Sequence, residues 1–446
     1  MSLDSNQGTA PLGDSYQEQW KALGAWFLGP RAENGDVFLD TFKDIFQEHV
    51  RLRKNYFPSD PVNITEEIKS SHAYRSEIAD MKHELMKMHK QMEDNVPFFS
   101  PRYQAHMIWD TSMPALLGYM GAMLFNQNNA DSAMSSVTTA YEHQVVWQLC
   151  DMLGYNIFPN KNEPLAWGHI TGGGSIANIE ALWASRNIKF VPLAVKAALL
   201  NRDPEVGALT FPSEEQVELG LNTCLAVYNK KSKLREPTPL RDCTNWQLLN
   251  VHMDEMCDLT ENVISNMRRA APLDTARFQD LVEREGIMSQ GVHNTMKKYD
   301  IQHTPVFTAP ANRHYSWPKA GTLLGLGSDA LTSIELDVNF RQDVDYLRKI
   351  LENFLIEEIT VIAVVAVIGS TEESAVDPIA EMHDLREEFH KRGLNFALLA
   401  DGAWGGYFKT MLIDLPTADV VPEKGKVVTQ ASNTSVSLMV LYRTVN

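Results

Sequence analysis

Paired cysteines are missing from this sequence. Its four cysteines, Cys150, Cys224, Cys243 and Cys257, stand far apart, with none of the close spacings that zinc or a redox motif uses. They read as buried free thiols, and a reduced, cytoplasmic setting is expected. Long apolar runs are missing too: the longest, Ile359 to Ile368, is about half of what a bilayer crossing needs. Met1 to Ser15 are polar, with no basic start leading into an apolar stretch, so no secretory signal is expected. Excess positive charge is absent. The formal net charge is −17 and no basic patch interrupts it, so neither nucleic acid nor an anionic membrane is an expected partner. The glycine run Thr171-Gly172-Gly173-Gly174-Ser175 has no Gly-Lys-Ser/Thr after it and lacks the dinucleotide spacing, which excludes a P-loop and a dinucleotide fingerprint. There is no internal repeat and no long low-complexity tract. No metal site is indicated.

What remains is an ordinary globular composition, 446 residues of which 44% are hydrophobic, enough for one large α/β core with appendages or for two to three domains. Ile78, Met81, Leu85, Met88 and Met92 recur at three- and four-residue intervals, which predicts a helix with one buried face. Asn55 to Thr65 reads as a loop before it, and Pro97 and Pro101 mark a boundary near residue 100. Beyond residue 105 the pattern is that of alternating helices and strands. Val145, Val146, Leu149, Met152 and Leu153 form a helical stripe, and the glycine run opens a helix carrying Ile176, Ile179, Leu182 and Trp183. Val361 to Ile368 and Phe396 to Ala400 are apolar without alternation, the signature of strands covered on both faces, as in a parallel sheet. Ile379 to Arg392 is helical in character and stops at Gly393, so Val361 to Ala400 reads as one β-α-β unit. Residues 201 to 300 are charged, mixed and mostly helical in propensity. From Asp414 the chain changes character and specifies little.

Three places could carry chemistry. Consecutive glycines before a helix let backbone amides approach a phosphate, to which Ser175 can add a hydroxyl; a plain glycine turn would show the same residues. Asp401 ends the strand Phe396 to Ala400 and is followed by Gly402-Ala403-Trp404-Gly405-Gly406. Ligands of open α/β sheets bind outside the carboxyl ends of the strands, although a turn aspartate is the alternative. Gly369-Ser370-Thr371 lies at the matching end of the other strand. The third place is Arg313-His314-Tyr315-Ser316-Trp317-Pro318, where the histidine is either packed or functional. His106, after Ser100-Pro101-Arg102-Tyr103, is equally open.

Taken in order, Leu23 to Phe27, Ala32 to Gly35, Ser100 to Tyr103 with His106-Met107, Ser135 to Tyr155, His169 to Asn187, His314 to Trp317, Gly369 to Glu373 and Asp401 to Tyr407 resemble the group II pyridoxal-phosphate-dependent amino-acid decarboxylases. Within them the likeness is greatest to bacterial and fungal tyrosine decarboxylases. The resemblance covers nearly the whole chain to about residue 410. It implies a fold type I large domain, a mainly parallel sheet with helices on both faces, preceded by a helical N-terminal arm. The implied divisions are 1–100 for the arm, 101–413 for an incomplete cofactor domain and 414–446 for an atypical tail, with the C-terminal small domain absent. The implied cofactor is pyridoxal 5'-phosphate, the substrate an L-amino acid of tyrosine-like type, the products its amine and carbon dioxide, and the assembly a homodimer. By the same resemblance Asp401 pairs with the pyridine nitrogen, keeping the ring cationic as an electron sink, while His314 stacks on one ring face and Ala403 packs on the other. Gly174, Ser175, Ile176 and Ala177 form the phosphate cradle, Ser370 lies near the ring, and His106 lies near the substrate.

The sequence departs from that family at one chemically central point. The family anchors its cofactor as a Schiff base on a lysine in an Asp-Pro-His-Lys sequence downstream of the pyridine-binding aspartate. After Asp401 this chain has only Lys409, Lys424 and Lys426, none following a histidine, and Asp377-Pro378 continues into Ile379-Ala380. The chain therefore reads as a C-terminally truncated decarboxylase without the lysine that activity on its own would need. A non-catalytic partner of a full-length homologue and an aldehyde synthase of the same family are the competing readings.

Overall fold

The computed structural model describes residues 21–104, 108, 110–158, 164–201 and 211–412. These fall into two compact units that divide after Thr139, so the boundary expected near residue 100 lies within the first.

The first unit is helical: α1 (Gly35–Tyr56), α2 (Glu66–Ser70), α3 (His72–Met92) and α4 (Met113–Met123). The Thr65 side chain accepts from the Ile68 amide and that of Ser71 from the Tyr74 amide, so each caps a helix start where backbone donors lack partners. α1 meets α4 through Ile45 beside Gly121, and His49 packs edge-on against Phe125 just beyond α4, with ring centroids 5.0 Å apart. The expected stripe on α3 is present, but the burial expected of it is not. Met81, Leu85, Met88 and Met92 are each about half exposed, and no residue of α3 is buried. Periodicity reports that a helix face is apolar; whether anything covers it depends on other chain segments, and among the described residues they cover it only in part.

α5 (Ser136–Leu153) begins before the division and runs into the second unit; of its expected stripe only Val146 is buried. Next come α6 (Gly174–Leu200), α7 (Glu214–Leu221), β1 (Cys224–Asn229), β2 (Leu234–Pro239), α8 (Asn245–Leu249), α9 (Met253–Met267), α10 (Thr275–Glu285) and α11 (Ile287–Lys298). They are followed by β3 (Val306–Pro310), α12 (Ser316–Leu323), β4 (Leu331–Ile334), α13 (Val344–Ile356), β5 (Val361–Val367), α14 (Ile379–Lys391) and β6 (Ala397–Asp401). β1 and β2 form an antiparallel hairpin. The other four strands make a parallel sheet in the order β4-β3-β5-β6.

Every residue of β5 is buried, as its unbroken apolar run predicts, and successive side chains serve opposite faces. Ala363 and Val365 pack into a core with Leu182, Phe190 and Leu193 of α6. Val364 and Ala366 pack into a second core with Leu347 and Leu351 of α13 and Leu385 and Phe389 of α14. The expected β-α-β unit is present as β5, α14 and β6, with β5 and β6 parallel. Gly393 ends α14 at φ +93, and a Cβ there would press on the Tyr228 ring at 2.8 Å, so both backbone and space call for glycine. No helix among the described residues is long and apolar enough to cross a membrane.

Candidate active site

Parallel strands that share a direction bring their carboxyl ends to one edge of the sheet, and there Asp401, the last residue of β6, is buried at 7% exposure. Its Oδ2 accepts a hydrogen bond from Asn178 Nδ2 at 2.9 Å and another from Trp317 Nε1 at 3.0 Å. Among the described residues Oδ1 has only a long contact from the Ala403 amide at 3.4 Å. Asn178 sits in the second turn of α6, 223 positions away in sequence, and Trp317 in the first turn of α12, fully packed in the core. One oxygen is thus clamped while the other keeps acceptor capacity.

The same Asn178 amide group donates to Ser316 Oγ at 3.0 Å, and Ser316 Oγ lies 2.8 Å from His314 Nδ1. The Ser316 backbone amide also donates to that Nδ1 at 3.2 Å. His314 and Asp401, expected from sequence to share a site, are therefore joined by two hydrogen-bonded side chains. Tyr315 covers part of His314, with ring centroids 4.1 Å apart and a tilt of 38°, and Lys319 Nζ sits 4.4 Å from the centre of the Tyr315 ring.

The glycine run leads into α6 as expected. No side chain caps the start of this helix, and the amides of Gly174 and Ser175 donate to no acceptor among the described residues. The loop before it is tied down by His169 Nε2, which pairs with Glu180 Oε2 at 2.7 Å, and by the Ile170 amide, which donates to Glu142. A Cβ on Gly174 would stand 3.6 Å from the Ala403 methyl, so the helix start and the residues after Asp401 adjoin. Ile176 and Ala177 are exposed on the first turn.

Ser370 is buried, and its hydroxyl is spent within its own turn, donating to Glu373 at 2.9 Å and accepting from the Ala375 amide at 3.0 Å. The turn still bears on the site. Gly369, at φ +90, would meet Trp404 at 2.5 Å if it carried a Cβ, and the Gly405 amide donates to Ile368 O at 2.8 Å. The loops after β5 and β6 are thus fastened to each other. His106 lies outside the described residues.

A buried amine exists, but at the other end of the sheet. Lys189 is fully buried, and its Nζ donates to Asn395 O, just ahead of β6, with Asn250 Oδ1 at 3.5 Å. Burial, reinforced by nearby Arg235, pushes its pKa down to about 7. The length of β6 separates it from Asp401, so it is no anchor for a ligand there.

Sequence reasoning missed Asn178 altogether and gave Ser316 and Trp317 no role. A polar residue one turn into a helix that opens on glycines was the available signal for Asn178.

Residues 287–430 match the pyridoxal-dependent decarboxylase conserved domain, a span that includes His314, Ser316, Trp317 and Asp401. The chain is 32% identical over 394 residues to an L-tyrosine decarboxylase of Levilactobacillus brevis, covering 88% of this chain and 53% of that protein. It is 31% identical to an L-tyrosine decarboxylase of Enterococcus faecalis over the same shares. The chain spans about half the length of the curated relatives it matches. Among solved structures it is similar to mouse CSAD in apo form, with a TM-score of 0.43 and 16% identity over 84% of this chain and 56% of that one. Residues 287–430 thus carry the conserved domain of the pyridoxal-dependent decarboxylases, the family to which these relatives point.

Proposed function

We propose that the chain binds pyridoxal 5'-phosphate at the carboxyl edge of its parallel sheet and serves the decarboxylation of an aromatic, tyrosine-like L-amino acid. The observation that carries this reading is the state of Asp401: a buried carboxylate with Oδ2 clamped by Asn178 and Trp317, and Oδ1 left with acceptor capacity. Such a group suits a protonated ring nitrogen. The donor set at the start of α6, two amides on glycine-rich backbone without an acceptor among the described residues, suits a phosphate.

In this reading Asp401 holds the proton on the ring nitrogen, His314 covers the ring face that Tyr315 leaves open to it, and Ala403 packs on the opposite face. Gly174, Ser175, Ile176 and Ala177 hold the phosphate, the Ser370 turn braces the loop beside the ring, and His106 lies near the substrate. When bound, pyridoxal phosphate supplies a cationic ring that accepts the electron pair released as carbon dioxide leaves. The protein's part is orientation, keeping the bond that breaks perpendicular to that ring. The 446 residues contain no Asp-Pro-His-Lys, and the contacts proposed here within them are noncovalent. A cytoplasmic homodimer, with residues 101–413 as the cofactor domain, completes the proposal.

The second reading is a non-catalytic partner of a full-length homologue. Carbon dioxide release by the purified chain with saturating pyridoxal phosphate, compared among tyrosine, tryptophan, dihydroxyphenylalanine and glutamate, separates the two. Release highest from tyrosine supports the enzyme; no release from any of the four leaves the non-catalytic partner and overturns it.

A further inference from the structure

The hydrogen bonds that join Asp401 to His314 have a direction, and that direction fixes where the proton sits on the histidine. A carboxylate only accepts, so the Asn178 group 2.9 Å from Asp401 Oδ2 is its NH2 and not its carbonyl oxygen. That NH2 carries two hydrogens. One goes to Asp401 and the other to Ser316 Oγ at 3.0 Å. Ser316 Oγ, already accepting from Asn178, has its own hydrogen free for His314 Nδ1 at 2.8 Å. The Ser316 backbone amide, whose hydrogen cannot move, points at the same Nδ1 from 3.2 Å. Two donors converge on one ring nitrogen, so that nitrogen is an acceptor and carries no proton.

We infer that Asn178 and Ser316 are positioning residues that lock neutral His314 in the tautomer with its proton on Nε2. Nε2 has no partner among the described residues, so the lock leaves it an N–H donor free for a ligand. Such a donor suits an anionic substrate group, as a carboxylate is, and does not suit a second donor. The orienting logic is the familiar one in which the bond made by one imidazole nitrogen decides the state of the other. Ser316 is fully buried and Asn178 partly so, which keeps water from competing for either bond.

This inference rests on the reading of His314 as a site residue, but its test needs neither cofactor nor turnover. The full chain, labelled with 15N-histidine, is examined without pyridoxal phosphate in alkaline buffer, and the His314 signals are assigned by their loss in His314→Gln. The expected result is a pyridine-like Nδ1 and a pyrrole-like Nε2. Ser316→Ala and Asn178→Asp, each checked for an unchanged circular dichroism spectrum, should let the Nδ1–H form appear at a tenth or more of the population. A wild-type His314 protonated on Nδ1 overturns the inference, as does a tautomer unchanged in both variants. Failure of the chain to bind pyridoxal phosphate would sink the functional reading and leave this result standing.

Discussion

Asp401 carries two demands on one side chain. Its Oδ2 satisfies the Asn178 amide and the Trp317 indole, while in the proposed function its negative charge serves a ligand at Oδ1. Hydrogen bonds to a charged group contribute about 1.5–3 kcal/mol each, so the two functions can be separated by choice of substitution. Trp317→Phe keeps the packing and removes one donor. It should lower the free energy of unfolding by about 1–3 kcal/mol, read from denaturant midpoints. Asp401→Asn keeps the size and loses the charge, and should weaken pyridoxal phosphate binding by about tenfold or more, read by equilibrium titration. Equal binding by Asp401→Asn and wild type would remove Asp401 from the site. At this scale the sequence was legible where a residue stood at the end of a recognisable element. Asp401 follows an apolar strand, and His314 sits in a short polar and aromatic cluster. Asn178 was not legible, because its meaning comes from a partner 223 positions away that only folding brings near.

Elements differ in how much of themselves they declare. β5 is buried throughout, so its seven apolar residues needed no alternation to be recognised, and α14 with Gly393 followed from helical spacing and a stop. The hairpin β1–β2 was hidden. Its second strand contains Pro237 and Pro239 and is only half-buried, with no side-chain period of two to betray it. β3 and β4, five and four residues long, are too short for a pattern. α3 declared an apolar face truthfully and said nothing of what covers it.

The polar fastening of β5 is equally invisible in sequence. Asp377 Oδ2 accepts from the Val367 amide at 2.7 Å, and its Oδ1 from the Gln342 amide at 2.7 Å, tying the strand's end to the segment before α13. Burial raises the pKa of this carboxyl, with those backbone bonds opposing the shift. Asp377→Ala leaves two buried amides without acceptors and should cost about 2–5 kcal/mol in a denaturant titration. Gly405→Ala should be harmful for a steric reason, since its Cβ would overlap the carbonyl oxygen of Ile368. A loss of about 1–3 kcal/mol is expected, together with weaker ligand binding, because the loop after Asp401 must shift. Unchanged stability in either variant would contradict the packing described.

A buried amine that the proposed chemistry does not use acts at the scale of the whole molecule. Lys189 has its pKa lowered by burial from 10.5 to about 7. The unfolded chain keeps that proton up to about pH 10.5 and the folded chain releases it near 7, so between these values the unfolded state binds more protons. This group therefore makes stability rise with pH through that window. Lys189→Met should be more stable than wild type at pH 7, by on the order of a few kcal/mol, and the advantage should shrink towards pH 10. A difference independent of pH would show that Lys189 is not the source.

The central claim is that the carboxyl edge of the sheet, organised around Asp401, is a pyridoxal phosphate site. The direct measurement is a titration of the purified chain with pyridoxal phosphate followed by tryptophan fluorescence, in parallel with Asp401→Asn, and then borohydride treatment and peptide mapping. The account predicts saturable binding that weakens about tenfold or more in Asp401→Asn, with no lysine of the chain labelled at stoichiometry. Binding that is unsaturable, or equal in the two proteins, would contradict it.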